Sequence, residues 1–103
     1  MKRRTSKFAA ALAGTIIAGI TAAMAYSGQN LEKDARIGLK RAEAIALKAT
    51  DGKIVDKELE REAGGSGLRY SFGVMVHGLK REVGVDARSG KVLENISEGA
   101  HPD

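Results

Sequence analysis

Cysteine is absent from the 103 residues. That excludes a disulfide framework, a thiol nucleophile, a cysteine-based metal site and lipidation of a lipobox cysteine. Tryptophan is also absent, and the aromatics are two Phe and two Tyr, so the core must be aliphatic and small. No acid precedes Glu32. Four of the 17 basic residues, Lys2, Arg3, Arg4 and Lys7, lie before it, and the remaining bases balance the 13 acids. The net charge of +4 and the pI near 9.6 therefore belong to the N-terminus. A nucleic-acid partner loses its electrostatic footprint. His77 and His101 are the only histidines, and neither has a paired carboxylate at ligand spacing. They read as surface residues rather than a metal site. Ser66, Ser71 and Ser89 sit in no nucleophile motif. The length allows one domain.

What the chain does have begins with a processing signal. Residues 1–7 are positive, residues 8–20 (FAAALAGTIIAGI) are apolar, and Ala23-Met24-Ala25 places small residues where signal peptidase reads them. These are the three regions of a secretory signal peptide, residues 1–25, with cleavage expected after Ala25 and Tyr26 as the first mature residue. The rival is an uncleaved anchor. The uncharged run 8–25 is near the lower limit of ~17–25 residues for a spanning helix, but its Ala, Gly and Thr make it a weak one. Arg3-Arg4 hints at twin-arginine export, yet the residues that follow do not keep that pattern, so the general secretory route is expected. The expected location is periplasmic or secreted. Membrane attachment would come only through an uncleaved segment.

Residues 26–37 are polar without a clear period and are expected as a flexible leader, with at most a helical turn at 31–35. From Leu39 the sequence LKRAEAIALKAT puts Ala42, Ile45, Ala46 and Ala49 on one helical stripe. Gly38 serves as N-cap, Gly52 as a left-handed terminator, and Ile45 is expected to penetrate deepest. Residues 53–62 (KIVDKELERE) read as a strand with an acidic face. Helix propensity in DKELERE competes, but the next strand needs a neighbour. In residues 68–77 Leu68, Tyr70, Phe72, Val74 and Val76 alternate with Arg69, Ser71, Gly73, Met75 and His77, the period of a half-buried strand. Gly78 supplies a turn. Residues 80–86 follow, with Val83 and Val85 inward, then a turn at 86–90 with Asp86 accepting backbone N–H groups and Gly90 closing it. Residues 91–96 form the last strand, its period running through Val92, Glu94 and Ile96. The expected fold class is α+β: one helix packed on a four-stranded antiparallel meander sheet, residues 38–97, with a polar tail at 98–103.

Candidate chemistry is thin. The glycine-rich loop 63–67 (AGGSG) resembles a phosphate cradle only superficially, because no Lys-Ser/Thr pair and no helix follow it. It reads as a hairpin tip. Asp56, Glu58, Glu60 and Glu62 could attract Ca²⁺, but Lys57 and Arg61 alternate with them, and hard cations take acids converging from a loop. The acids read as a solvated face, and Lys80-Arg81 as a solubilising pair. No catalytic, cofactor-binding or metal-ligating residue is assigned, so no enzyme activity and no cofactor are expected.

Residues 39–96 resemble the PepSY domain of secreted metallopeptidase propeptides and small bacterial envelope proteins. The resemblance rests on the helix with Ala42, Ile45, Ala46 and Leu47; on Gly52-Lys53-Ile54-Val55 with Leu59 and Glu60; on the Tyr70 strand; and on VGVDARSGKVL at 83–93. The last piece looks like the family's Asp-Ala-x-Thr/Ser-Gly-x-Val/Leu ending. Gly38 departs from the usual capping Ser or Thr, and the 64–67 loop is unusually rich in glycine. The resemblance implies a cystatin-like helix-on-sheet module without activity of its own. It also implies a protein partner, a peptidase or another envelope protein, that the module binds and inhibits or modulates. A sheet edge, residues 53–62 or 91–96, or the hairpin tip would dock it. The alternative function is an envelope ligand- or metal-sensing domain, motivated by the acids of the first strand.

Overall fold

A computed structural model describes residues 25–98. The expected signal peptide, apart from Ala25, and most of the expected tail, His101 included, lie outside the described residues.

One α-helix, α1 (Leu39–Ala49), lies on a sheet of four antiparallel strands: β1 (Lys53–Arg61), β2 (Leu68–Val76), β3 (Leu79–Asp86) and β4 (Val92–Ser97). The sheet order is β1-β2-β3-β4, so every connection is a hairpin. This is the expected α+β meander. The alternation in β2 sends its apolar residues to α1, but the strand is not half-buried: Arg69, Ser71 and Gly73 of the opposite face are buried too. Leu68, Tyr70, Phe72 and Val74 are wholly buried against α1, joined by Leu59 of β1 and by Val83, Val85 and Ala87. The Tyr70 and Phe72 rings lie nearly parallel, with centroids 6.2 Å apart. The Tyr70 hydroxyl donates to the Ile37 carbonyl at 2.9 Å, which ties the centre of the sheet to the residue before the helix.

Ile45 is not the deepest helix residue. Ala42 and Ala46 are fully buried, while Ile45 is only half-buried and faces the turn at Gly90. Two alanines facing the sheet let the helix backbone come close, which pushes the longer Ile45 to the rim. Gly52 is not a left-handed terminator either. Thr50, extended and 7% exposed, is the C-cap, and its N–H donates to the Ala46 carbonyl at 2.9 Å. Gly52 has ordinary φ. It is glycine because a Cβ would collide with the Met75 carbonyl of β2.

Two register shifts break the simple period. One between Ile54 and Asp56 in β1 pairs Ile54 with Val74 and turns Val55 outward, 45% exposed. The other, at Gly84/Val85, lets Val92 pack on the core yet leaves Ile96 42% exposed. Val92, Glu94 and Ile96 therefore do not share one inward face. An extra residue in one strand resets its alternation. The β2–β3 turn is two residues long, and both His77 and Gly78 have positive φ (50 and 83).

Residues 26–37, expected as a flexible leader, carry structure. They hold a 3-10 helix (Gln29–Asp34) and a parallel bridge from Ser27 to Glu58. Leu31, Ala35 and Ile37 pack against the core. The N–H groups of Arg36 and Ile37 both donate to the Ala87 carbonyl, at 2.9 and 3.1 Å.

Candidate functional site

The candidate residues fall in three places: the Asp86 turn, the outer face of the sheet, and its two edges. The turn comes first because it carries the most specific sequence signal. Asp86 is 1% exposed. Its Oδ1 accepts the N–H groups of Arg88 and Ser89 at 2.8 and 2.9 Å. That closes the expected turn, together with Gly90 N–H donating to the Asp86 carbonyl at 2.9 Å. The same carboxylate reaches further. Ser66 N–H donates to Oδ2 at 2.5 Å, and Ser66 Oγ donates to Oδ1 at 2.9 Å. The glycine-rich loop 63–67 thus does hold an anion, and the anion is the chain's own Asp86. Burial acts to raise the Asp86 pKa. The N–H groups of Ser89, Ser66 and Arg88 and the Ser66 hydroxyl outweigh it and hold the carboxyl well below the usual carboxylate range. Ala87 has no room for a larger side chain. It is fully buried, its N–H donates to the Leu68 carbonyl at 2.8 Å, and its carbonyl receives Arg36 and Ile37. Ser89 Oγ accepts the N–H of Lys91 at 3.1 Å. Each residue of the Asp-Ala-x-Ser-Gly-Lys string thereby has a structural task.

The outer face, away from α1, is laid with ion pairs over glycines. Lys80 crosses Gly73 to reach Asp56, and a Cβ on Gly73 would lie 2.6 Å from Lys80 Cε. Arg69, 6% exposed, crosses beside Gly84 and bonds Glu94 Oε1 through Nη1 at 3.1 Å and the Ala63 carbonyl through Nη2 at 3.2 Å. Burial works against the Lys80 ammonium, but the hydrogen bond and charge of Asp56 prevail and raise its pKa. Ser71 donates to Glu60 at 2.8 Å. Asp56, Glu58 and Glu60 share this face. Glu62 lies past the end of β1, and its N–H closes the hairpin on the Gly67 carbonyl at 3.1 Å. Lys57 and Arg61 turn to the other face, where they pair with Glu43 (2.8 Å) and Asp34 (2.6 Å). The four acids are strung along β1 rather than gathered. Among the described residues no group of three or more His, Asp or Glu is arranged to hold a metal ion. His77 is exposed on its turn. Arg81 is not merely a solubilising charge: its Nε and Nη2 donate to the Asn95 side chain and carbonyl at 2.9 and 3.0 Å.

The edges differ. β1 is met at its centre by residues 26–28: Leu59 N–H donates to the Ser27 carbonyl at 2.9 Å. Tyr26 donates to Glu32 Oε2 at 2.5 Å. Burial and the Glu32 carboxylate raise the pKa of Tyr26, and the same two causes raise that of Tyr70. On the other side β4 pairs with β3 alone among the described residues. Sequence reasoning missed the N-terminal strap, the Asp86–Ser66 clamp and the buried Arg69. Only the two glycines within strands, Gly73 and Gly84, hinted that something lies across the outer face.

One helix on a four-stranded antiparallel meander, with its most constrained side chains invested in a turn clamp, defines a two-layer α+β module. The PepSY family model, described as peptidase propeptide and YPEB domain, matches residues 36–95, and the chain belongs to that family. Such domains are propeptide- or inhibitor-like modules, which agrees with a non-enzymatic, protein-binding role. No curated protein and no solved structure matches the chain. Among the described residues no helix is long and apolar enough to cross a membrane.

Proposed function

We propose that this chain is an exported, non-enzymatic binding module that docks on a peptidase or another envelope protein and restrains its activity. Family membership carries the reading, since the matched model is that of a peptidase propeptide domain. The N-terminal pattern of positive, apolar and small residues supports export. Docking uses a sheet edge, where main-chain hydrogen bonds give affinity and alternate side chains give specificity. The test is affinity capture from an envelope extract with the tagged chain, paired with a deletion strain. A captured peptidase whose activity falls on adding the purified chain supports the proposal. No captured protein and unchanged envelope proteolysis on deletion would sink it.

A further inference from the structure

The two sheet edges are not equivalent as docking surfaces. In an antiparallel ladder, residues that aim their N–H and C=O at one neighbour alternate with residues that aim them the other way. On β1, Glu62 N–H bonds toward β2, so Leu59 and Arg61 turn their backbone groups outward. Leu59 is already engaged. Its N–H is bonded to Ser27, and Gly28, at φ 85, lies so close that a Cβ there would collide with the Leu59 carbonyl. The strap that covers this edge is held by Tyr26 on Glu32 and by Asp34 on Arg61. On β4 the N–H of Glu98 bonds the Lys80 carbonyl at 2.9 Å. The same phase gives Glu94 and Ile96 to β3 and turns Asn95 and Ser97 outward. Arg81 Nη2 takes the Asn95 carbonyl. The Asn95 N–H and both backbone groups of Ser97 remain on the free side of the sheet.

The side chains along this free edge specify a partner. Ile96 is 42% exposed and stands opposite Glu82 in the β3 register. Alternation puts Glu94 and Glu98 on the same face, two residues to either side. Glu94 shares its charge with Arg69, and Lys80 lies among Asp56, Glu98 and Glu82, so four carboxylates meet two cations and the surroundings of Ile96 stay net acidic. An added strand would bring its side chains within about 5 Å of these positions. The complementary segment has an apolar residue against Ile96 and lysine or arginine beside the carboxylates.

We infer that β4 is the docking edge and that it takes, as a fifth strand, an extended segment of a partner protein with an apolar residue flanked two positions away on either side by lysine or arginine, while residues 26–28 keep β1 shut. This rests on the binding reading proposed above. The experiment titrates the purified full-length chain into a fluorescent peptide of the repeat Lys-Thr-Val-Thr, which puts lysine and valine on one face of a strand, with a Glu-Thr-Val-Thr peptide beside it. Ser97→Pro removes an outward N–H and leaves the β3–β4 ladder intact. Ile96→Lys removes the apolar anchor without touching the core. The lysine peptide should bind and the glutamate peptide should not. Each substitution should weaken binding by about five-fold or more, for Ser97→Pro the equivalent of one net hydrogen bond and for Ile96→Lys the loss of an apolar contact. Gly28→Ala, which lifts the strap, should leave binding unchanged. Absent binding, equal binding of the two peptides, or tighter binding by Gly28→Ala would overturn the assignment, the last by moving the site to β1. Capture of an envelope partner equally well by Ser97→Pro overturns the β4 edge while sparing the wider function. Peptide binding without any captured partner does the reverse.

Discussion

Replacing Asp86 with asparagine keeps the size of the side chain and removes its charge. The amide oxygen can still accept from Arg88, Ser89 and the Ser66 hydroxyl. The amide nitrogen then takes the place of Oδ2, which accepts Ser66 N–H at 2.5 Å, and two donors face each other. A hydrogen bond to a charged group contributes about 1.5–3 kcal/mol, and stranding a buried donor costs about 1–3 kcal/mol. Allowing for overlap between these, and for weakening of the three surviving bonds, Asp86→Asn should cost about 2–4 kcal/mol near neutral pH. The pH dependence is a sharper check. Burial opposes ionisation of Asp86, but its N–H and hydroxyl donors lower the folded pKa below the unfolded value of about 3.9. Its stabilisation is therefore complete above the unfolded pKa and is lost as pH falls through the folded one. Between those two values the wild type loses about 1.4 kcal/mol per pH unit from this residue, and the asparagine variant does not. Urea unfolding followed by circular dichroism should show a deficit at pH 7 that shrinks as the pH falls below about 4. A deficit under about 0.5 kcal/mol at pH 7, or one constant across the acid range, would refute the clamp.

The other tests are smaller. Gly28→Ala forces an alanine into left-handed backbone against the Leu59 carbonyl, so it should cost about 1–2 kcal/mol and speed hydrogen exchange at the Leu59 amide while core amides of β2 and β3 keep their protection. His77→Asn places a residue that tolerates positive φ in the β2–β3 turn and should stabilise by about 0.5 kcal/mol in thermal unfolding; a lowered Tm would contradict the turn geometry. Burial and Glu32 raise the pKa of both Tyr26 and Tyr70, so the stability they contribute is present below the unfolded pKa of about 10 and is lost as pH rises through the folded values. Tyr26→Phe should flatten that alkaline loss. The separated acids of β1 predict no calorimetric heat with Ca²⁺ or Zn²⁺ on the folded chain, and a saturable heat abolished by Glu60→Gln would revive the sensing alternative.

What was legible in the chain follows from the range of the interactions. The helix stripe, the β2 period and the Asp86 turn depend on residues a few positions apart; the period and the turn are present in the structure, and the stripe holds at Ala42, Ile45 and Ala46 but not at Ala49, which is exposed. The clamp from Asp86 to Ser66 and the strap from Ser27 to Leu59 join residues far apart, and nothing local announces them. The 3-10 helix Gln29–Asp34 has a single apolar residue, Leu31, too few to register as a period. The two bulges were illegible for another reason: a strand with one extra residue still reads as an alternating strand, with its phase changed midway. The period through Val92, Glu94 and Ile96 breaks for this reason, and it leaves Ile96 exposed beside the open edge.

The turn most typical of the family and the edge proposed to meet a partner are therefore different things. Asp86 through Lys91 is constrained by its own hydrogen bonds: a buried carboxylate with four donors, a buried alanine joined to two other segments, and a serine that caps a backbone amide. A side chain so occupied has nothing left to offer another protein. It would recur wherever the fold recurs, whatever the module binds. Specificity has to be written where the fold makes no demand, and on this molecule that means exposed positions along an unpaired edge. If that is right, exchanging Ile96 and Glu98 for the residues at the same positions of another family member should transfer partner preference and leave stability unchanged. Exchanging the 86–91 string should do neither.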